Sequence, residues 1–276
     1  MSNLKRKNKT LSSEERWDDS QAALFHEFTK FTPADINKKS PRIAEYLVNP
    51  RYVLETARNY KTYSTANKIA LAPPEAKSLD FANLLQNRQS HRHFSGESIE
   101  FQALSNLLSW SASVTRIAEL PGFPDENIGL RPYPSGGGLY PSEIYVVAIN
   151  VNELEPGVYH YSSRNNELEL VHNTLDTSEL KNIFMADNFI DSIGCIIVIT
   201  SMFERATTKY GDRGYRIALL EAGHLAQNLL LSAAAQQLDS LAWGGFYDNK
   251  VAELLNVNVI DEPPVHTTFI GRKKDI

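Results

Sequence analysis

Apolar residues recur at helical spacing in the first third of this chain and at strand spacing through much of the rest. From Gln21 to about Lys77 the reading is mostly helical. QAALFHEFTKF places apolar positions three and four apart, until Pro33 and Pro41 interrupt the pattern. Pro73 and Pro74 close this section as a hinge. Two amphipathic helices are predicted next, from Asp80 to about Arg88 and from Ser98 to about Val114; in the second, Phe101, Leu104, Leu107 and Leu108 form one stripe. β-rich runs bounded by turn residues follow at Glu143 to Asn150, Gly157 to Tyr161, Leu168 to His172, Ile193 to Ser201, Ser240 to Phe246 and Val265 to Gly271. The second and third of these, joined by SSRNNE, predict a hairpin.

From about Gly214 to Leu238 the pattern gives a helix roughly 36 Å long at 1.5 Å per residue, apolar nearly all round. Such a helix crosses a whole domain or reaches into a partner subunit, which points to an α+β protein and suggests a dimer. Glu221, His224, Gln227 and Asn228 interrupt it, so it reads as a buried helix and not as a membrane span. The first 20 residues are polar enough for a loose arm. The organisation read here is a mostly helical extension over residues 1–77 and a main domain over 78–276.

Composition narrows the function classes. With 42% apolar and 10% aromatic residues the chain can bury a full core, which excludes disorder for most of it. Twenty-eight basic against 33 acidic side chains leave a net charge of −5, so a nucleic-acid partner is not expected. The single cysteine, Cys195, cannot form an intramolecular disulfide, and no paired CxxC motifs could hold zinc. The N-terminal stretch has no apolar core of a secretory signal, so the cytoplasm is the expected compartment.

Three clusters carry candidate chemistry. RPYPSGGGLYPSEIYVV sets Gly136, Gly137 and Gly138 directly before an apolar strand; the loop either lets the backbone approach a flat or anionic ligand or is merely flexible. It matches neither the dinucleotide fingerprint nor the phosphate loop. In NRQSHRHF, Arg88, Ser90 and Arg92 alternate and would share one side of an extended chain, as a phosphate clamp or as a solvated basic turn. His91 and His93 lack a third ligand, so a metal is not expected. In FERATTKYGDRGYR, Lys209 and Tyr210 precede Gly211, and Asp212 could cap the long helix. An ammonium about 4 Å from a phenolate contributes about 4 kcal/mol at an effective dielectric near 20; desolvation cancels part of that, yet the balance could lower the Tyr210 pKa toward neutral pH and let it act as a base. The pair could equally face water at a helix start.

Taken together, RPYPSGGGLYPSE, KYGDRGYRIALLEAGHLAQNLLLSAA and LAWGGFYDNKVAELLNV resemble the FMN-dependent, nitroreductase-fold dehydrogenases of the SagB/ThcOx type, which include the azoline dehydrogenases of microcin-type synthetases. The resemblance runs roughly from Asp80 to Arg272, and FHEFTKF is similar to the N-terminal segment of SagB-type proteins. It implies an α+β nitroreductase-like fold, a mixed sheet flanked by helices, and a homodimer with two FMN sites at its interface. Arg88, Ser90 and Arg92 correspond to the family's phosphate clamp, and Pro134, Ser135, Gly136, Gly137 and Gly138 to the loop along the flavin. Gly244 and Gly245 correspond to the loop near the ring edge, and Arg272 to a C-terminal residue on the phosphate. Lys209 and Tyr210 correspond to the catalytic pair, read as a cation that lowers the pKa of a tyrosine base; the reverse, with Lys209 as base and Tyr210 orienting the ring, is the alternative.

The implied reaction oxidises peptidyl thiazolines and oxazolines to azoles during maturation of a ribosomally made peptide. The implied partners are a precursor peptide, a YcaO-type cyclodehydratase and an associated synthetase subunit. Ala118 to Gly129 and the first 80 residues match the family poorly, and peptide recognition is expected there. Three other readings stay open: an NAD(P)H-dependent nitroreductase, an azoline oxidase acting on carrier-bound nonribosomal intermediates, and a flavin-free scaffold subunit that binds a leader peptide.

Overall fold

The computed structural model of this chain describes residues 17, 20–120 and 123–274; the expected loose arm falls almost wholly outside them. Helices come first, two of them started by side-chain caps. Ser20 caps α1 (Gln21–Phe28), its Oγ accepting from Ala23 N at 3.1 Å. α2 (Pro33–Val48) carries Pro41 inside it, and Asn49 caps α3 (Pro50–Arg58) by accepting from Arg51 N at 3.0 Å. The chain divides into two compact units, residues 1–41 and 42–276.

The second unit continues with β1 (Lys68–Ala70), α4 (Phe81–Asn87) and α5 (Phe101–Ala112). A two-stranded ribbon of β2 (Arg116–Leu120) and β3 (Phe123–Leu130) follows, then β4 (Ser142–Ala148), β5 (Gly157–Ser162), β6 (Glu167–His172), α6 (Thr177–Ile183) and β7 (Cys195–Ser201). The chain closes with α7 (Phe203–Tyr210), α8 (Arg213–Ala235), β8 (Leu238–Trp243), α9 (Asp248–Leu254) and β9 (Pro264–Arg272).

Seven strands form one sheet in the order β1-β6-β5-β4-β7-β9-β8. Its named strands pair antiparallel, and among the described residues the parallel component of the expected mixed sheet is one bridge between Ile99 and Val151. Alternate side chains of β4 and β7 point to opposite faces of the sheet, and both strands are buried throughout. Ile144, Val146 and Ala148, with Ile197 and Ile199, join a core with Leu104, Leu107 and Leu108 of α5 and Leu225 and Leu229 of α8. Tyr145, Val147, Ile196 and Val198 face the other way, toward Leu180 and Ile183 of α6 and Val251 of α9. Helices therefore cover both faces, which is why these strands read as near-continuous apolar runs.

The pattern missed β1, β2, β3, α6 and α9. β1 is three residues long, and β3 carries Pro124, Asp125, Glu126 and Asn127, which mask a strand in the sequence. Residues read as a polar turn form α7 instead. Gly214 explains how α7 meets α8: a Cβ there would lie 2.6 Å from Ala206 C and Thr207 N, so the two helices touch backbone to backbone. α8 buries one face in the core but leaves Leu219 and Leu220 exposed beside Gly223, whose open side meets nothing within 4 Å. Among the described residues no helix is long and apolar enough to cross a membrane.

Candidate active site

The glycine loop is held from behind by a carboxylate of the central helix. Ser135 Oγ donates to Glu221 Oε2 and accepts from Tyr140 N at 2.9 Å, while Ser142 N donates to Glu221 Oε1 at 3.1 Å. Burial raises the Glu221 pKa, opposed by these hydrogen bonds. Ser135, expected along a flavin, is thus committed to latching its own loop. Gly137 and Gly138 adopt φ of +73° and +68°, which other residues rarely take. A Cβ on Gly136 would strike Ile217 Cγ2 of α8, so this glycine admits the helix and not a ligand. Gly138 and Gly244 meet nothing within 4 Å, whereas a Cβ on Gly245 would lie 3.1 Å from the Trp243 indole.

Lys209 and Tyr210 are the last two residues of α7, yet both reach the same point. The Cβ position of Gly137 lies 2.7 Å from Tyr210 Oη and 2.8 Å from Lys209 Nζ. Lys209 is buried, and among the described residues its side chain has no carboxylate partner and no hydrogen bond. Its Nζ stands 4.9 Å from the Tyr46 ring centre and 5.3 Å from that of Tyr210. Burial lowers the Lys209 pKa and raises that of Tyr210. These directions run against the expected ammonium tuning a phenolate: desolvation favours the neutral amine and the neutral phenol. Asp212 stands at the start of α8 without a side-chain cap.

The expected phosphate clamp comes together only in part. A cavity of about 510 Å³ is lined by Arg88, His91, Asp239, Ser240, Arg272 and Lys273. Arg88 is half-buried there, and its guanidinium has no hydrogen bond or ion pair among the described residues. Arg272 donates from Nε to Ser98 O at 3.0 Å and from Nη2 to Glu100 Oε1 at 3.1 Å. Ser90 and Arg92 are exposed and do not line the cavity, and neither does the exposed Pro134. The backbone explains this: His91 N donates to Ser240 O at 3.0 Å, which ties the segment to the β8 edge and turns His91 inward. No three His, Cys, Asp or Glu side chains gather among the described residues as a metal site.

FMN fits these features: an unpaired guanidinium in a cavity suits its phosphate, and the open sides of Gly138 and Gly244 leave room for a flat ring. The two halves lie far apart in one chain. Ile217 backs the glycine loop and Ala234 lines the cavity, and between them α8 climbs about 25 Å at 1.5 Å per residue.

Sequence reasoning missed a second charged cluster. Arg205 Nη1 lies 2.6 Å from Glu143 Oε1, His160 Nε2 lies 3.0 Å from Glu143 Oε2, and His160 Nδ1 lies 2.9 Å from Glu169 Oε2. The signal was present: Glu143 and His160 are polar letters inside strongly apolar strands.

The family model described as the nitroreductase family matches residues 85–272. The chain belongs to the nitroreductase family. As a family member it is 32% identical over 200 residues to the nitroreductase candidate MJ1384 of Methanocaldococcus jannaschii, covering 72% of this chain and 94% of that protein. It is 33% identical over 159 residues to the microcin B17-processing protein McbC of Escherichia coli, covering 55% of this chain and 58% of McbC. A crystal structure of a nitroreductase candidate from Anabaena variabilis superimposes with a TM-score of 0.71 at 29% identity, over 90% of this chain and 45% of that one. This nitroreductase-family chain thus spans just over half of McbC and less than half of the Anabaena protein.

Proposed function

We propose that this chain is an FMN-dependent dehydrogenase that oxidises thiazoline and oxazoline rings in a ribosomally made peptide to thiazoles and oxazoles. The observation that carries the reading is the convergence of Lys209 and Tyr210 on Gly137, with Lys209 a buried residue that has no carboxylate partner among the described residues. The similarity to a microcin-processing protein supports a peptide substrate. Oxidation removes two hydrogens from the ring, one as hydride and one as a proton. Bound FMN supplies the two-electron acceptor. Lys209, whose pKa burial lowers, takes the proton at Nζ, and Tyr210, kept neutral, donates a hydrogen bond from Oη that orients the ring. Arg88 and Arg272 hold the phosphate; Ser90 and Arg92, exposed in a single chain, are engaged on assembly.

One flavin cannot reach both half-sites of a single chain. A two-fold partner packed on the exposed Leu219–Leu220 face of α8 brings the cavity of one chain to the glycine loop of the other, so the working unit is a homodimer with two flavins. A YcaO-type cyclodehydratase and its synthetase partner supply the azoline peptide, and the setting is the cytoplasm. The test gives purified, flavin-loaded protein a heterocyclised peptide and follows the loss of two hydrogens per ring by mass spectrometry. If NADPH bleaches the flavin while the azoline peptide stays unchanged, the chain is a nicotinamide-dependent reductase.

A further inference from the structure

We propose that Arg205 and Glu143 are positioning residues for Lys209, locking α7 at once to the sheet and to the end of the glycine loop. The inference rests on Lys209 as the base. α7 has eight residues, no side-chain cap at Met202, and an abrupt end at Gly211, whose φ is +58°. So short a helix does not hold its own place; tertiary contacts must. Arg205 and Lys209 lie four residues apart and share a face of α7. From that face Arg205 Nη1 reaches Glu143 Oε1 at 2.6 Å and donates to Tyr140 O at 2.9 Å. One guanidinium therefore joins the helix of Lys209 to strand β4 and to the residue that follows Leu139 and Gly138. Arg42 Nε, donating to Thr208 O at 2.8 Å, pins the far end of the same helix.

Glu143 is itself braced. His160 lies between Glu143 and Glu169, and Lys68 Nζ lies 3.1 Å from Glu169 Oε1, so charges alternate across β4, β5, β6 and β1. Stability alone does not require this ladder, because apolar side chains of similar volume hold neighbouring strands as well as a buried ion pair does. Direction is what an ion pair adds: a guanidinium accepts few orientations against a carboxylate and a carbonyl. That orientation sets where the Lys209 stem leaves α7, and so whether Nζ arrives over Gly137, between Tyr46 and Tyr210.

The test reads the lysine directly. Flavin-loaded protein is acetylated with trace acetic anhydride across a pH series, and the extent at Lys209 is followed by peptide mass spectrometry. The double variant Arg205→Met with Glu143→Gln removes both charges together, leaving neither buried alone. It should keep its flavin, while the half-maximal pH of Lys209 acetylation rises by about one unit or more as the freed amine becomes hydrated. Arg205→Lys, which keeps the charge but not the fork, should fall between, and it decides the matter should the double variant not fold. An unchanged Lys209 profile in the folded variants overturns the proposal. A shifted profile with undiminished azole formation instead leaves the positioning standing and removes Lys209 as the base.

Discussion

Replacing Lys209 with arginine separates the two roles a lysine can play beside Tyr210. Tyr210 Oη and Lys209 Nζ lie 2.7 and 2.8 Å from one point, the Cβ position of Gly137, so at a separation of at most about 5.5 Å full attraction between an ammonium and a phenolate is at least about 3 kcal/mol at an effective dielectric near 20. Burial acts in the opposite direction, raising the Tyr210 pKa and favouring the neutral phenol. A lysine lowered by burial needs no such partner to be a free amine. Guanidinium stays protonated at every accessible pH, so Lys209→Arg keeps the charge and deletes the proton acceptor. Azole formation should fall by about 10² to 10⁴, equivalent to about 3 to 5 kcal/mol of barrier, as far as in Lys209→Ala. Neither variant should recover at high pH. The parent rate should rise with pH through the lowered lysine pKa, because the base works only when deprotonated. Tyr210→Phe should lose less and retain the rising limb. The assay is single-turnover bleaching of bound flavin by a heterocyclised peptide, with mass spectrometry of the product. A near-parental Lys209→Arg, or recovery of Lys209→Ala at high pH, would refute the assignment and make Tyr210 the base.

Other outcomes follow from the same geometry. Arg88→Ala leaves the phosphate charge under-compensated in its cavity, so dialysis should strip flavin from the variant and not from the parent. Gly136→Val drives a branched side chain into Ile217, which should destabilise the protein by about 1 to 3 kcal/mol in urea titrations; parental stability would mean the loop and α8 part easily. Burial pushes both Glu143 and Glu169 up, yet Arg205 and His160 hold Glu143, and His160 and the Tyr63 N–H hold Glu169, at about 2 against an ordinary 4.5. A depressed carboxylate stabilises the fold above its unfolded pKa and loses that contribution as pH falls. Urea stability should therefore drop between about pH 4.5 and 2, by up to about 3 kcal/mol for Glu143 and by less for Glu169, which shares His160 with it, and the drop should shrink in Glu143→Gln.

Local patterning was enough to name much of this protein. Strands β4 to β9 and helices α5 and α8 show in the sequence: β4 and β7, covered on both faces, as near-continuous apolar runs between turn residues, and the helices by a period near four where they pack on the sheet. The glycine loop and the adjacent Lys209 and Tyr210 are equally local, and with the run after Gly211 and LAWGGFYDNKVAELLNV they carried the family resemblance. What stayed hidden depends on residues far apart in the chain. That Gly136 makes room for Ile217, or that Ser135 is taken up by Glu221, follows from packing α8 against the loop. Alternation put Ser90 and Arg92 beside Arg88, but pairing with Ser240 on β8 turned His91 into the cavity in their place. The protonation preferences of Lys209 and Tyr210 were out of reach for the same reason: adjacency in sequence suggested mutual attraction, while burial beneath Tyr46 and over Gly137 desolvates both. Sequence determines which groups are available and on which face of their own element they stand; the solvent each one loses is set only when distant elements close over it.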